Sequence, residues 1–141
     1  MDLLARREHS RVELAQKLRK RDFAAEEIEQ AVIELIDEGL QSDSRFTENY
    51  IHYRANRGYG PHHIRAELAQ RGVEELCIEE QISYYDQSFW EDHCRQVWLK
   101  KFGGELPEDY IGKMKQLKFL QYRGFSGEMA NKCLENIYEN Q

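Results

Sequence analysis

Residues 43–73 read DSRFTENYIHYRANRGYGPHHIRAELAQRGV, and this stretch sets the phase of the whole chain. Phe46, Tyr50 and Tyr53, with Ile51 more loosely, recur at helical spacing. Arg54 and Arg57 fall in the last turn of that helix, where cations suit the helix dipole. Gly58 and Gly60 break it. Pro61 restarts a helix at its first position, where the missing N–H costs nothing. Ile64 and Leu68 then form an apolar stripe, and Arg71-Gly72-Val73 closes it with a residue free to take positive φ.

The same pieces recur on both sides. Upstream, residues 2–8 read as a short helix. Ser10-Arg11-Val12-Glu13 is a capping box that opens a second helix with Leu14 and Leu18 inward. Arg21-Asp22-Phe23 is its turn. A third helix is predicted from about Ala25 to Glu38, with Ile28, Val32, Leu35 and Ile36 on one face and Gly39 at its end. Ser42 or Asp43 caps the next helix. Downstream, a helix over 74–86 turns Ile78, Ile82 and Tyr85 inward. Ser88 is the predicted cap of another that carries Phe89, Trp90, Val97, Trp98 and Phe102 up to Gly103-Gly104. Pro107 starts a longer helix to about Tyr122. After the turn Arg123-Gly124-Phe125, a last helix begins near Ser126 with Met129, Leu134 and Ile137 inward.

A period organises these elements. Leu14-x3-Leu18-x2-Arg21-Asp22-Phe23 aligns with Ile64-x3-Leu68-x2-Arg71-Gly72-Val73 and with Leu120-x2-Arg123-Gly124-Phe125. Five positions after each turn stand Ile28, Ile78 and Ala130, and four further on Val32, Ile82 and Leu134. The chain is therefore expected to be all-α, three units of three helices over 1–40, 41–88 and 89–141. Units of this size bury too little alone and must stack on their neighbours, which makes an elongated array.

The 141 residues are 40% hydrophobic and 33% charged, a balance that suits amphipathic helices with wide wet faces. No apolar run approaches a membrane span. The opening MDLLARREHS is too short and charged for a signal peptide. Cys77, Cys94 and Cys133 are odd in number and lack CxxC spacing, so they read as reduced thiols of a cytoplasmic protein. The net charge of −6 hides segregation: residues 1–23, 49–73 and 95–132 carry +3, +3 and +4, whereas 24–48 and 74–94 carry −7 each. In each unit the first two helices are basic and the third acidic. Two readings stay open. The charges are solvated faces knit by internal salt bridges, or stacking gathers the basic helices into a stripe for a long polyanionic or acidic partner.

No catalytic constellation rises above background. His93 and Cys94 are adjacent on a helix and cannot share a face. His62 and His63 stand at a helix start as exposed or capping residues, and no further ligands accompany them, so neither a metal nor a cofactor is expected. Arg57-Gly58-Tyr59-Gly60-Pro61 lacks the spacing of a phosphate loop. Trp90, Trp98, Phe89 and Phe102 read as core. Tyr53 and Tyr59, flanked by Arg54 and Arg57, are candidates for exposed recognition. A helix-turn-helix reader of DNA has the wrong sign, because the helix after each turn is the acidic one.

Four segments carry a family resemblance: RREHSRVELAQKLRKRDF at 6–23, SDSRFTENYIHYRANRGYGPHHIRAELAQRGV at 42–73, WLKKFG at 98–103 and LKFLQYRGFS at 117–126. Together they resemble the RecX family of bacterial regulators of the RecA recombinase. The pattern departs at Asp22, where the family usually has Gly, and at His62-His63, where a basic pair is common. Asp tolerates the left-handed region, so the first turn is expected to survive. The resemblance implies three tandem three-helix repeats in a curved rod. It also implies a monomeric, cytoplasmic negative regulator, not an enzyme, in the setting of homologous recombination, DNA repair and the SOS response. Such a protein lodges in the groove of the RecA filament on single-stranded DNA and reduces ATP hydrolysis, strand exchange and co-protease activity. Weak direct DNA binding is a secondary expectation. On this reading Arg54, Arg57, Tyr59, Arg65, Arg71, Arg95, Lys100 and Lys101 form a central basic stripe that Arg21 and Arg123 extend. The alternatives are a free DNA-binding module of helical repeats and a general protein-interaction scaffold.

Overall fold

The computed structural model describes residues 8–39 and 41–140. Among them are eight helices and no strand: α1 (Arg11–Lys20), α2 (Ala25–Asp37), α3 (Asp43–Asn56), α4 (Pro61–Gln70), α5 (Glu75–Ser83), α6 (Gln87–Phe102), α7 (Tyr110–Tyr122) and α8 (Gly127–Glu139). The fold is an all-α repeat. Helices α3 to α5 and α6 to α8 make two triplets, and α1 and α2 belong to the triplet before them. The helix expected over 2–8 lies outside the described residues apart from Glu8. The chain divides into two compact units. One takes in the residues up to Ile51 and Glu67–Ser83, and the other His52–Ala66 and the residues from Tyr84 on. Both α3 and α4 are shared between them.

Local chemistry accounts for the helix ends, with some shifts from expectation. Ser10 makes the full capping box with Glu13. Ser42 caps α3 through the Arg45 amide at 3.2 Å. Asp43 instead accepts from the Arg11 amide at 2.7 Å. Helix α5 stops at Ser83, short of the expected 86, because Asp86 is already the N-cap of α6 and accepts from the Phe89 amide. Ser88 is not that cap; its hydroxyl donates to Asp86 at 2.8 Å. Pro107 does not open α7. The helix begins at Tyr110, where Asp109 accepts from the Gly112 amide at 2.7 Å.

The apolar stripes pack as the repeat requires. In the first unit Leu14, Leu18, Ile28, Val32 and Leu35 close a small core. Ile36 lies off this stripe and is exposed, since it is rotated about 80° from Ile28 on the helical wheel. On α3 the buried apolar residues are Phe46, Tyr50, Ile51 and Ala55, so Ile51 is central and Tyr53 faces solvent. In the second unit Cys94, Trp98, Leu117, Leu120, Phe125, Ala130, Cys133 and Leu134 form the core. The indole N–H of Trp98 donates to Gln116 at 2.7 Å, and the Gln116 amide donates to the Glu105 carbonyl, so burying these polar groups leaves them paired.

The three Arg-centred turns share one geometry. The amides of Phe23, Val73 and Phe125 donate to the carbonyls of Leu18, Leu68 and Leu120 at 3.5, 3.1 and 3.2 Å. The central residues Asp22, Gly72 and Gly124 take φ of 64°, 84° and 107°, as a left-handed helix stop demands. Two of these turns also receive the start of a helix from the preceding triplet. In the first unit the Ser10 hydroxyl donates to the Arg71 carbonyl at 2.7 Å, and a Cβ on Gly72 would lie 2.5 Å from Val12 Cβ. In the second the Gly60 amide donates to the Arg123 carbonyl at 2.8 Å and the His62 amide to Gly124 at 3.0 Å. A Cβ on Gly124 would lie 2.5 Å from that of His63. Val73 and Phe125 are accordingly 5% and 1% exposed, whereas Phe23 in the first turn is 47% exposed.

Candidate functional site

The turn after α3 builds the site in the second unit. The Arg54 carbonyl accepts from the Tyr59 amide at 3.1 Å, which folds Tyr59 back over the helix end. The Arg54 guanidinium then lies 3.9 Å from the Tyr59 ring centre. His63, one turn into α4, stacks on the same tyrosine at 4.7 Å and 24°. Arg123 comes from the turn before α8. Its guanidinium lies 5.1 Å from the Tyr59 ring and 5.3 Å from that of Phe119, and it donates to the Arg57 carbonyl at 3.5 Å. Lys101 stands 5.3 Å over Phe119, and Arg57 lies 4.7 Å over Tyr53. Cations thus sit against Tyr53, Tyr59 and Phe119, an attraction worth about 0.5–1 kcal/mol at an exposed site.

Beside this cluster is a cleft of about 410 Å³. The C-terminal end of α3 and its turn form one wall. The other is the face of α6 that carries His93, Gln96, Val97 and Lys100, spaced i, i+3, i+4 and i+7 along one helical face. The imidazole of His93 donates from Nδ1 to the Phe89 carbonyl at 2.9 Å and turns Nε2 toward the Asn56 amide oxygen at 3.5 Å. Arg54, Arg57 and Lys100 are in the lining, and no Asp or Glu is among its ten residues. A guanidinium stacked on a ring keeps its N–H edge for an oxyanion, which it can grip with two parallel hydrogen bonds. The arrangement can therefore bind and orient phosphate or carboxylate groups. Among the described residues no group of three or more His, Cys, Asp and Glu side chains is placed to hold a metal, and no helix is long and apolar enough to cross a membrane.

Of the predicted stripe, the structure brings together Arg54, Arg57, Tyr59, Lys100, Lys101 and Arg123. Arg65 is half-buried on α4 in the same unit and does not line the cleft. Arg95 is exposed on another face of α6, where its charge acts on Cys133. Cys94 and Cys133 are buried there as free thiols. The hydrogen bond between them, followed by burial, pushes the Cys94 thiol up. Arg21 and Arg71 belong to the first unit. Arg21 is exposed at the open turn. Arg71 lies 4.9 Å over the Tyr50 ring and 3.7 Å from the Glu13 carboxylate. Sequence reasoning did not assign His63, His93, Asn56, Gln96 or Phe119 to this site. The helical spacing of His93, Gln96 and Lys100 was the available signal.

The family model for the first three-helix domain of RecX matches residues 1–35, that for the second 42–81, and that for the third 91–134. Among curated relatives, the regulatory protein RecX of Pseudomonas fluorescens (strain SBW25) is 48% identical over 134 residues, 95% of this chain and 86% of its own length. The regulatory proteins RecX of Pseudomonas entomophila (strain L48) and Pseudomonas syringae pv. tomato are 47% and 46% identical over the same shares. The crystal structure of RecX from Lactobacillus salivarius is similar with a TM-score of 0.83 at 20% identity, covering 96% of this chain and 90% of that one. A second crystal structure, of regulatory protein RecX, gives 0.81 over 95% of this chain and 67% of the other.

Proposed function

This chain belongs to the RecX family, and we propose that it regulates a RecA-type recombinase by binding the RecA filament on single-stranded DNA. It acts as a negative regulator, by occupancy of the filament groove and not by turnover, and lowers ATP hydrolysis, strand exchange and co-protease activity. Three-helix repeats over 1–40, 41–88 and 89–141 supply the scaffold. The basic stripe supplies contact, with its centre at Arg54, Arg57, Tyr59, Lys100, Lys101 and Arg123.

One observation carries this reading: a chain of net charge −6 holds a cleft with three cations and no carboxylate in its lining. Net acidity opposes indiscriminate DNA coating, while a local basic cleft supports a charged partner presented in one geometry. The test is steady-state ATP hydrolysis by the cognate RecA on single-stranded DNA, titrated with this protein. Inhibition at ratios well below one per recombinase, with weak binding to the DNA alone, is expected. Inhibition only at levels that coat the DNA would assign a competitor for DNA instead, and no inhibition would leave a scaffold without this partner.

A further inference from the structure

We propose that Cys94 and Cys133 form a reversible oxidation site, a dithiol that a peroxide converts to a disulfide tying α6 to α8. This site stands apart from the filament reading and does not depend on it.

A buried cysteine is ordinarily a small apolar filler. Three observations set this pair apart. The first is convergence. Cys94 comes from α6 and Cys133 from α8, and both fall in one core, 0% and 6% exposed. They are free thiols in contact, with Cys94 donating a hydrogen bond to Cys133. Two cysteines can be bridged when their side chains point toward one another, and that hydrogen bond requires it here. The second is the rim of charge above them. Glu91 lies one turn before Cys94 on the same face of α6. Lys132 directly precedes Cys133 on α8. Their ion pair at 2.9 Å links the same two helices as the thiols. A partly exposed pair of this kind holds weakly, so it opens readily to an oxidant as small as a peroxide. The third is the unequal chemistry of the two sulfurs. The hydrogen bond from Cys94 holds the Cys133 thiol below its ordinary range; burial opposes this and the Arg95 charge assists. The same hydrogen bond, then burial, pushes Cys94 up. Cys77 has different company, the hydroxyls of Ser44 and Thr47.

The thiolate is the nucleophile, so Cys133 reacts first and Cys94 resolves. The Cys133 sulfur attacks one peroxide oxygen and the O–O bond breaks. The departing oxygen takes a proton and leaves as water, and Cys133 is left as a sulfenic acid. The Cys94 sulfur then attacks the Cys133 sulfur. The S–S bond forms, the S–O bond breaks, and the hydroxyl leaves with the Cys94 proton as a second water. Two thiols lose two electrons and two protons, and the peroxide is reduced to two waters. A resolving thiol in contact keeps oxidation at this reversible level.

The experiment treats the full chain with hydrogen peroxide, folded and in urea. Remaining thiols are alkylated in urea after the peroxide is removed, and the digested peptides are read by mass spectrometry. In the folded chain the crosslinked peptide is expected to join Cys94 to Cys133, two hydrogens lighter than the two thiols, and to vanish with dithiothreitol. It should exceed crosslinks to Cys77 by about tenfold or more, whereas in urea the three pairings should agree within about threefold. Dimedone, which traps sulfenic acids, checks the order of events. Cys94→Ala should accumulate the adduct on Cys133, and Cys133→Ala should leave Cys94 reduced. Unchanged helical circular dichroism confirms that each variant is folded, and the wild-type crosslink decides the matter where one is not. Folded chains whose crosslinks are spread over all three cysteines would overturn the proposal. So would a pair that stays reduced while Cys77 is fully oxidised. A wild-type chain that accumulates the dimedone adduct on Cys133 without a crosslink would overturn it too, because Cys94 would then not resolve.

Discussion

Tyr50 and Tyr59 both carry arginine on their rings, the first among carboxylates and the second beside a cleft lined without them. In the first unit the Tyr50 hydroxyl donates to Glu67 at 2.7 Å, and the Arg71 guanidinium over its ring lies 3.7 Å from Glu13. Cation and carboxylates answer one another, and Glu13 also closes the capping box of α1. In the second unit Arg54, Arg123 and His63 converge on Tyr59 beside a cleft whose lining holds no carboxylate. The same contact stands among carboxylates in one place and beside a cleft lined without them in the other. What differs is the company that tertiary structure brings, not the type of residue.

The comparison can be broken most forcefully at the backbone under Tyr59. Gly124→Ala places a Cβ 2.5 Å from His63 Cβ and 2.9 Å from the Gly60 carbonyl oxygen, at φ 107°. Urea unfolding should show a loss of about 3 kcal/mol or more. A loss near zero would mean that the Gly60–Gly124 contact does not hold this assembly. Arg71→Gln should lower stability by about 1 kcal/mol, through the lost ion pair and ring contact, and leave inhibition of RecA unchanged. Arg57→Gln should do the reverse, with stability within about 0.5 kcal/mol of wild type and weaker inhibition. If both variants lose stability alone, the distinction between the two tyrosines fails.

Alkaline pH offers a finer probe. Burial, then the hydrogen bond to Glu67, raises the Tyr50 phenol above its ordinary 10.0, with Arg71 opposing. The folded chain therefore holds this proton more tightly than the unfolded chain. Its contribution is complete below the ordinary value and is lost as pH rises through the folded one. Unfolding free energies measured from pH about 8 to about 11 should fall less steeply for Tyr50→Phe than for wild type. The smallest effect is expected at the open turn. Asp22 stands at φ 64°, where Gly is relaxed, so Asp22→Gly should stabilise by no more than about 1 kcal/mol, offset by the looser unfolded chain.

Asp22 also shows how far the sequence could be read. Its alignment with Gly72 and Gly124 announced a left-handed turn, and tolerance of that region by Asp was enough to keep it. That Gly72 and Gly124 are needed for a second reason, the approach of Val12 and His63, was invisible, because those neighbours arrive from another triplet. The site divides in the same way. Arg54, Arg57 and Tyr59 were legible as a cluster because one turn holds them. Lys100 entered through the basic stripe that the family resemblance implies, and Arg123 through its place in the repeated turn. His93 and Gln96 went unassigned because only the packing of α6 reveals which of its faces lines the cleft.

The sequence by itself determined which segments are helical, the three left-handed stops and the threefold repeat. These depend on residues within a few positions of one another: apolar spacing, the Ser10–Glu13 box and the left-handed stops at 22, 72 and 124. Tertiary structure alone decided which arginines stand beside a carboxylate and which beside a ring and a cleft. Arg71 meets Glu13 and Arg123 meets Tyr59 only after chain segments more than fifty positions apart have packed. Electrostatic character depends on distances across that packing, and distances of this kind are not written in the order of residues.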